Sequence, residues 1–109
     1  MDQKIQWTKK RADLLKRHLE ELREDVTSDR QAYLSLTEQH EREKENILTK
    51  VNERSTQWVV LLTNQKKQLS DLISLQHQER ADLLIRHAKE IRQLERQIKL
   101  ERAALRFNK

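Results

Sequence analysis

Neither glycine nor proline occurs anywhere in these 109 residues. Tight chain reversals draw on Gly, Pro or Asn-Gly pairs, so a fold built from many turns is excluded. With it go hairpin-rich β folds and the glycine loops that cradle nucleotide phosphates. Cysteine is absent too, which removes disulfide frameworks and Cys-ligated zinc. Helix remains: Leu, Glu, Gln, Lys, Arg and Ala dominate, all good helix formers. Charged residues make up 38% of the chain and apolar residues 35%, a balance that argues against an ordinary globular domain. No apolar run approaches the ~18 residues of a membrane span, and Met1-Asp2-Gln3-Lys4 lacks the apolar core of a secretory signal.

From Leu15 a stripe advances by alternating steps of four and three: Leu15, Leu19, Leu22, Val26, Asp29, Tyr33, Leu36, His40, Glu43 and Ile47. This is a heptad seam with three polar insertions. A second seam follows Trp58, Leu62, Gln65, Leu69, Leu72, Gln76, Glu79 and Leu83. A third, one residue out of phase, follows Leu84, His87, Ile91, Leu94, Ile98, Glu101 and Leu105. Phase changes between seams predict a coiled coil with discontinuities. The second half also carries five leucines spaced by eleven: Leu61, Leu72, Leu83, Leu94 and Leu105. Eleven residues in three turns, ~3.67 per turn, relaxes the left-handed supercoil, so nearly straight helices are expected from about residue 58 onward.

Two places invite a helix break. Asp25-Val26-Thr27-Ser28-Asp29 clusters residues that favour helix N-caps, with Ser28 and Gln31 forming a weak capping box around 27–29. Asn52-Glu53-Arg54-Ser55-Thr56 is the second, around 52–56. One unbroken helix would measure roughly 160 Å at ~1.5 Å per residue. Its seam demands a companion, from another copy or by folding back. Trp58-Val59-Val60-Leu61-Leu62 is the most apolar window, and five consecutive residues point all round a helix. Either more than two helices meet there or the window docks a partner.

Arg11-Ala12-Asp13-Leu14-Leu15-Lys16-Arg17-His18 recurs 69 residues later as Arg80-Ala81-Asp82-Leu83-Leu84-Ile85-Arg86-His87. Glu21-Leu22-Arg23 matches Glu90-Ile91-Arg92 at the same offset. In an antiparallel dimer centred near residue 49, each copy of this segment would lie beside the other copy of the partner chain, and Arg-Asp and His-Glu pairs could be reused across the two-fold axis. Convergence on helix-favouring residues is the alternative source of the match.

His18, His40 and His87 each precede a glutamate by three positions, Glu21, Glu43 and Glu90, which puts each pair on one helical face. Carboxylate-bridged metal bundles use the opposite order, Glu-x-x-His. A histidine on a seam reads instead as a partly hydrated polar layer that sets register or oligomer state. Ser and Thr are scattered, and a rod offers little concavity for an oriented nucleophile and base. No enzyme activity, metal or cofactor is expected.

The net charge of +5 is uneven. Residues 1–25 carry seven basic and six acidic side chains, 26–57 five and six, 58–79 two and two, and 80–109 nine and four. Arg86, Lys89, Arg92, Arg96, Lys99, Arg102 and Arg106 recur at steps of three and four, most of them on one flank beside the apolar stripe. Such a ridge suits an acidic protein, a microtubule or an anionic membrane surface. Duplex nucleic acid is disfavoured, because no separate basic region lies beyond a leucine-only zipper. A solubilising stripe beside the seam is the plainer reading.

The stretch Gln65-Lys66-Lys67-Gln68-Leu69-Ser70-Asp71-Leu72, followed by Gln78-Glu79-Arg80-Ala81-Asp82-Leu83-Leu84-Ile85-Arg86-His87-Ala88-Lys89-Glu90-Ile91, resembles the basic helical C-terminal region of the phospholipase C-β enzymes. The resemblance covers about a quarter of the chain. It implies a membrane-associating, dimer-forming regulatory helix that meets a heterotrimeric G-protein subunit, without the catalytic barrel.

Together these features predict an all-α fold. It is an elongated coiled coil of long helices over a single segment, 1–109, as a helical hairpin or an antiparallel dimer with a local four-helix bundle. The expected function is structural: a self-associating coiled coil that oligomerises, scaffolds and offers its basic C-terminal stripe to an acidic partner. A homodimer is favoured over a tetramer. The interface is expected along Leu15, Leu19, Leu22, Val26, Tyr33, Leu36, Ile47, Trp58, Leu62, Leu69, Leu72, Leu83, Leu84, Ile91, Leu94, Ile98 and Leu105. A peripheral membrane or signalling helix and a cytoskeletal linker are the alternatives, in the cytoplasm in each case.

Overall fold

A computed structural model describes residues 2–107. Two long helices account for nearly all of them: α1, Asp2–Leu48, and α2, Thr56–Phe107. The fold is all-α, and the chain doubles back on itself, so the companion that the seam requires is supplied from within the same molecule.

The reversal occupies residues 49–55 and includes most of the expected 52–56 break. It needs no glycine because no described residue takes a positive φ. The Lys50 and Val51 N–H groups both donate to the Ile47 carbonyl, closing the end of α1. Asn52 Oδ1 accepts from the Arg54 N–H at 2.9 Å, a local turn held by its own side chain. Ser55 then caps α2, its Oγ accepting from the Trp58 N–H at 3.1 Å.

The break expected around 27–29 is absent, and α1 passes through Thr27, Ser28 and Asp29 as helix. Cap-forming residues in a helix interior cost only about 0.5 kcal/mol each relative to alanine. Asp25 and Asp29 are half-buried here, so packing carries the helix through them.

The residues group into two compact units, Met1–Glu24 with Arg80–Lys109, and Asp25–Glu79. In the first, the start of α1 runs antiparallel to the end of α2. Trp7 and His18 on α1 and His87 and Ile98 on α2 are its buried residues. In the second, the two helices leave the loop side by side, and His40 and Gln65 are buried between them.

In both units the inward column repeats every eleven residues. On α1 it runs Trp7 and His18 in the first unit and Asp29 and His40 in the second; on α2, Gln65 and Gln76 in the second and His87 and Ile98 in the first. The repeat therefore extends to both helices. The leucine column flanks the buried one: Leu61, Leu72, Leu83 and Leu94 are half-buried, and Leu105 is exposed. Among the described residues only Trp7 and Ile98 are buried apolar side chains. The interior is polar.

The expected heptad seam coincides only in part with this inner face of the single chain. Leu22, Leu36, Ile47, Trp58, Leu69, Leu72, Leu83 and Leu94 do face inward in part, and Ile98 is buried. Leu15, Leu19, Val26, Tyr33, Leu62, Leu84, Ile91 and Leu105 are exposed. A seven-residue repeat drifts round a helix whose true repeat is eleven. The α1 stripe thus starts on the flank at Leu15 and crosses the inner face between Leu22 and Leu36.

Candidate interaction surface

The first unit has two unlike faces, and the duplicated segment builds both. His18 and His87, equivalent positions of the two copies, stack with ring centroids 3.8 Å apart and planes within 10°. Around them the charged pairs cross between helices. Arg17 donates to Glu90 and Arg86 to Glu21. His18 Nε2 lies 3.6 Å from Glu90 and His87 Nε2 3.6 Å from Glu21. The His-x-x-Glu spacing therefore works across the pair, each histidine meeting the glutamate of the other copy.

Packing tends to raise the Glu21 carboxyl, but the Arg86 guanidinium and then His87 outweigh it and hold it below the ordinary glutamate range. Further along, Arg11 grips Glu95 through two bonds of 2.6 and 2.8 Å. That bond outweighs desolvation and holds Glu95 down, and it holds Arg11 up. The Trp7 indole N–H donates to Glu101, which also accepts from Gln3 at 3.1 Å. The Trp7 bond is the main reason that the Glu101 carboxyl sits low, ahead of opposing desolvation and of support from Gln97, Lys10 and Gln3. Arg102 lies 5.2 Å above the Trp7 ring, a cation–π contact.

The opposite face is apolar and open around the stacked histidines, while further along the Arg11–Glu95 pair bridges the helices on this same side. With His18 and His87 marking inward, ~98° per residue places Leu22 about 30°, Leu15 about 65° and Leu19 about 100° to one side of His18. Ile91, Leu84 and Ala88 take the same angles beside His87. The helices are antiparallel, so these two sides form one face. Leu15 is 59% exposed, Leu19 54%, Leu84 49% and Ile91 46%. An open groove on this face is lined by Ala12, Leu15, Lys16, Leu19, Glu20 and Arg23.

In the second unit the interior is tied by amides. Gln65 donates to the His40 carbonyl at 3.0 Å, and His40 Nε2 meets Gln68 Oε1 at 2.7 Å. Gln76 donates to the Asp29 carbonyl at 3.0 Å. Near the loop Leu48, Val59, Val60 and Leu62 are exposed, while Trp58 and Leu61 turn inward. An apolar groove runs along Ile47, Val60 and Leu61.

All seven stripe residues, Arg86 through Arg106, are exposed. At least three make internal contacts: Arg86 with Glu21, Arg92 with the Ala88 carbonyl at 3.4 Å, and Arg102 with Trp7. Hydrophobic periodicity missed Trp7, Gln3 and the crossing carboxylates. The signal was available as polar residues at eleven-residue spacing: His18, Asp29 and His40, then Gln65, Gln76 and His87. Among the described residues no group of three or more His, Cys, Asp or Glu is placed to hold a metal ion, and no helix is long and apolar enough to cross a membrane.

No family model, no curated protein and no solved structure matches this chain. The likeness of residues 65–91 to the phospholipase C-β region rests on those residues alone.

Proposed function

We propose that the protein is a structural element, a helical hairpin that self-associates and scaffolds partners. The observation that carries this reading is the apolar loop end of the second unit, where Leu48, Val59, Val60 and Leu62 are exposed beside the Ile47–Val60–Leu61 groove. Four apolar side chains on several sides of one hairpin end exceed what two helices can cover, and burying each fully yields about 1.5–3 kcal/mol. A symmetric pair of such ends is self-complementary. Supporting it, an interior with two buried apolar side chains leaves most of the apolar surface outside. The basic stripe suits a cytoplasmic acidic surface, whether cytoskeletal or membrane. Light scattering across a dilution series tests the reading: wild type has a multiple of 13.2 kDa and Val59→Asp with Val60→Asp has 13.2 kDa. A wild type of single-chain mass at tens of micromolar removes it.

A further inference from the structure

The open face of the first unit has a chemistry that its own copy does not complement. Met1–Glu24 carries seven basic and five acidic side chains and Arg80–Lys109 nine and four, so this unit holds +7. Asp25–Glu79, with seven and nine, holds −2. Of the nine carboxylates of the first unit, at least four are held within it: Glu21 and Glu90 by arginines on the opposite face, Glu95 by Arg11, and Glu101 by Trp7. The rim of the apolar face is thus cationic, with Lys16 and Arg23 against Glu20 along the α1 groove and Arg92, Lys99 and Arg106 along α2. A second copy laid face to face would set these cations against their equals, and like charges across an interface oppose pairing.

We propose that the face formed by Leu15, Leu19, Leu22, Leu84, Ala88 and Ile91 seats an amphipathic helix of a partner whose apolar stripe is flanked by Asp and Glu. Apolar anchors at helical spacing enter the groove along α1, as helix-in-groove recognition requires. The flanking carboxylates meet Lys16 on one side and Arg92 and Lys99 on the other, which sets orientation and speeds encounter. A third helix over this face covers the leucines that α1 and α2 leave open and leaves the Arg17–Glu90 and Arg86–Glu21 pairs in water. This surface is separate from the apolar loop end, so it stands or falls independently of self-association.

The test uses the full chain and a fluorescent synthetic peptide with Leu at a and d heptad positions and Glu at e and g. Its glutamates repel one another and keep it single-stranded. A twin with Lys in place of Glu is the control. The acidic peptide should bind at least ten times tighter than its twin, weaken with salt, and be lost on Leu19→Asp. Lys16→Glu with Lys99→Glu should reverse the preference between the peptides while the helical circular dichroism stays unchanged. Equal binding of both peptides, binding of neither, or acidic-peptide binding that survives Leu19→Asp overturns the proposal. So does a doubled mass by light scattering that Leu19→Asp returns to one chain, since a second copy then covers the face. Binding to phosphatidylserine vesicles that requires Leu19 would assign the face to a lipid surface and overturn it equally. Loss of self-association in the Val59→Asp, Val60→Asp variant leaves peptide binding intact.

Discussion

His18 and His87 stack face to face at 3.8 Å, the last residues of two octapeptides that differ at one position, Lys16 against Ile85. His18 Nε2 and both nitrogens of His87 are buried without a hydrogen-bond partner. A desolvated, unbonded nitrogen costs stability, whereas removing both polar members of a pair is neutral or favourable. The double variant His18→Leu, His87→Leu should therefore unfold in urea at higher concentration, by about 1–2 kcal/mol. A less stable double variant would mean that the stacked imidazoles themselves hold the two helices in register.

Acid should loosen the first unit through Glu21, Glu95 and Glu101, all held below the ordinary glutamate range. Below about pH 4.3 the unfolded chain takes up protons at these positions more readily than the folded one. Their contribution is thus complete above that pH and disappears as pH falls through the lowered values. Melting temperature followed by circular dichroism from neutral pH downward should drop in that range. Glu101→Gln should flatten the fall, and an unchanged slope would disconnect Glu101 from it.

Trp7 combines burial, the bond to Glu101 and the cation–π contact with Arg102. Trp7→Ala should cost about 3–5 kcal/mol, and Trp7→Phe, which keeps a ring but loses the N–H, distinctly less. Urea titration separates the two; equal losses would show that the N–H matters more than the ring.

Ser55 caps the first turn of α2, its hydroxyl oxygen accepting from the Trp58 N–H. Ser55→Ala should destabilise by about 1 kcal/mol and Ser55→Gly by a few tenths. A larger penalty for glycine than for alanine would place the strain in the loop backbone instead of the cap.

The eleven-residue inward column separates two leucine-class positions that look alike in sequence. Ile98→Ala should cost about 2–4 kcal/mol, whereas Leu19→Gln should shift stability by less than about 0.5 kcal/mol at low protein concentration. A core-sized loss at Leu19 in a dilute monomer would restore the heptad seam.

Helix could be read from the chain, and so could the reversal as one of two candidate breaks; the duplicated segments suggest pairing between two chains, whereas they meet within one. A sequence without Gly or Pro and rich in Leu, Glu and Lys has one inexpensive backbone state, and Asn52 to Ser55 are the residues that turn and cap it. The leucine column from Leu61 to Leu94 announced the eleven-residue repeat on one helix, but its counterpart on α1 is built from Trp7, His18, Asp29 and His40, of which the heptad seam held only Asp29 and His40, as polar insertions. Periodicity reports which residues share a side of a helix. Which side turns inward depends on how the two helices cross and wind, and that is settled by the sum of packing and ion pairs in the folded pair. Here Arg17 crosses to Glu90 and Arg86 to Glu21 around the stacked histidines, a polar column faces inward, and Leu15, Leu19, Leu84 and Ile91 face out.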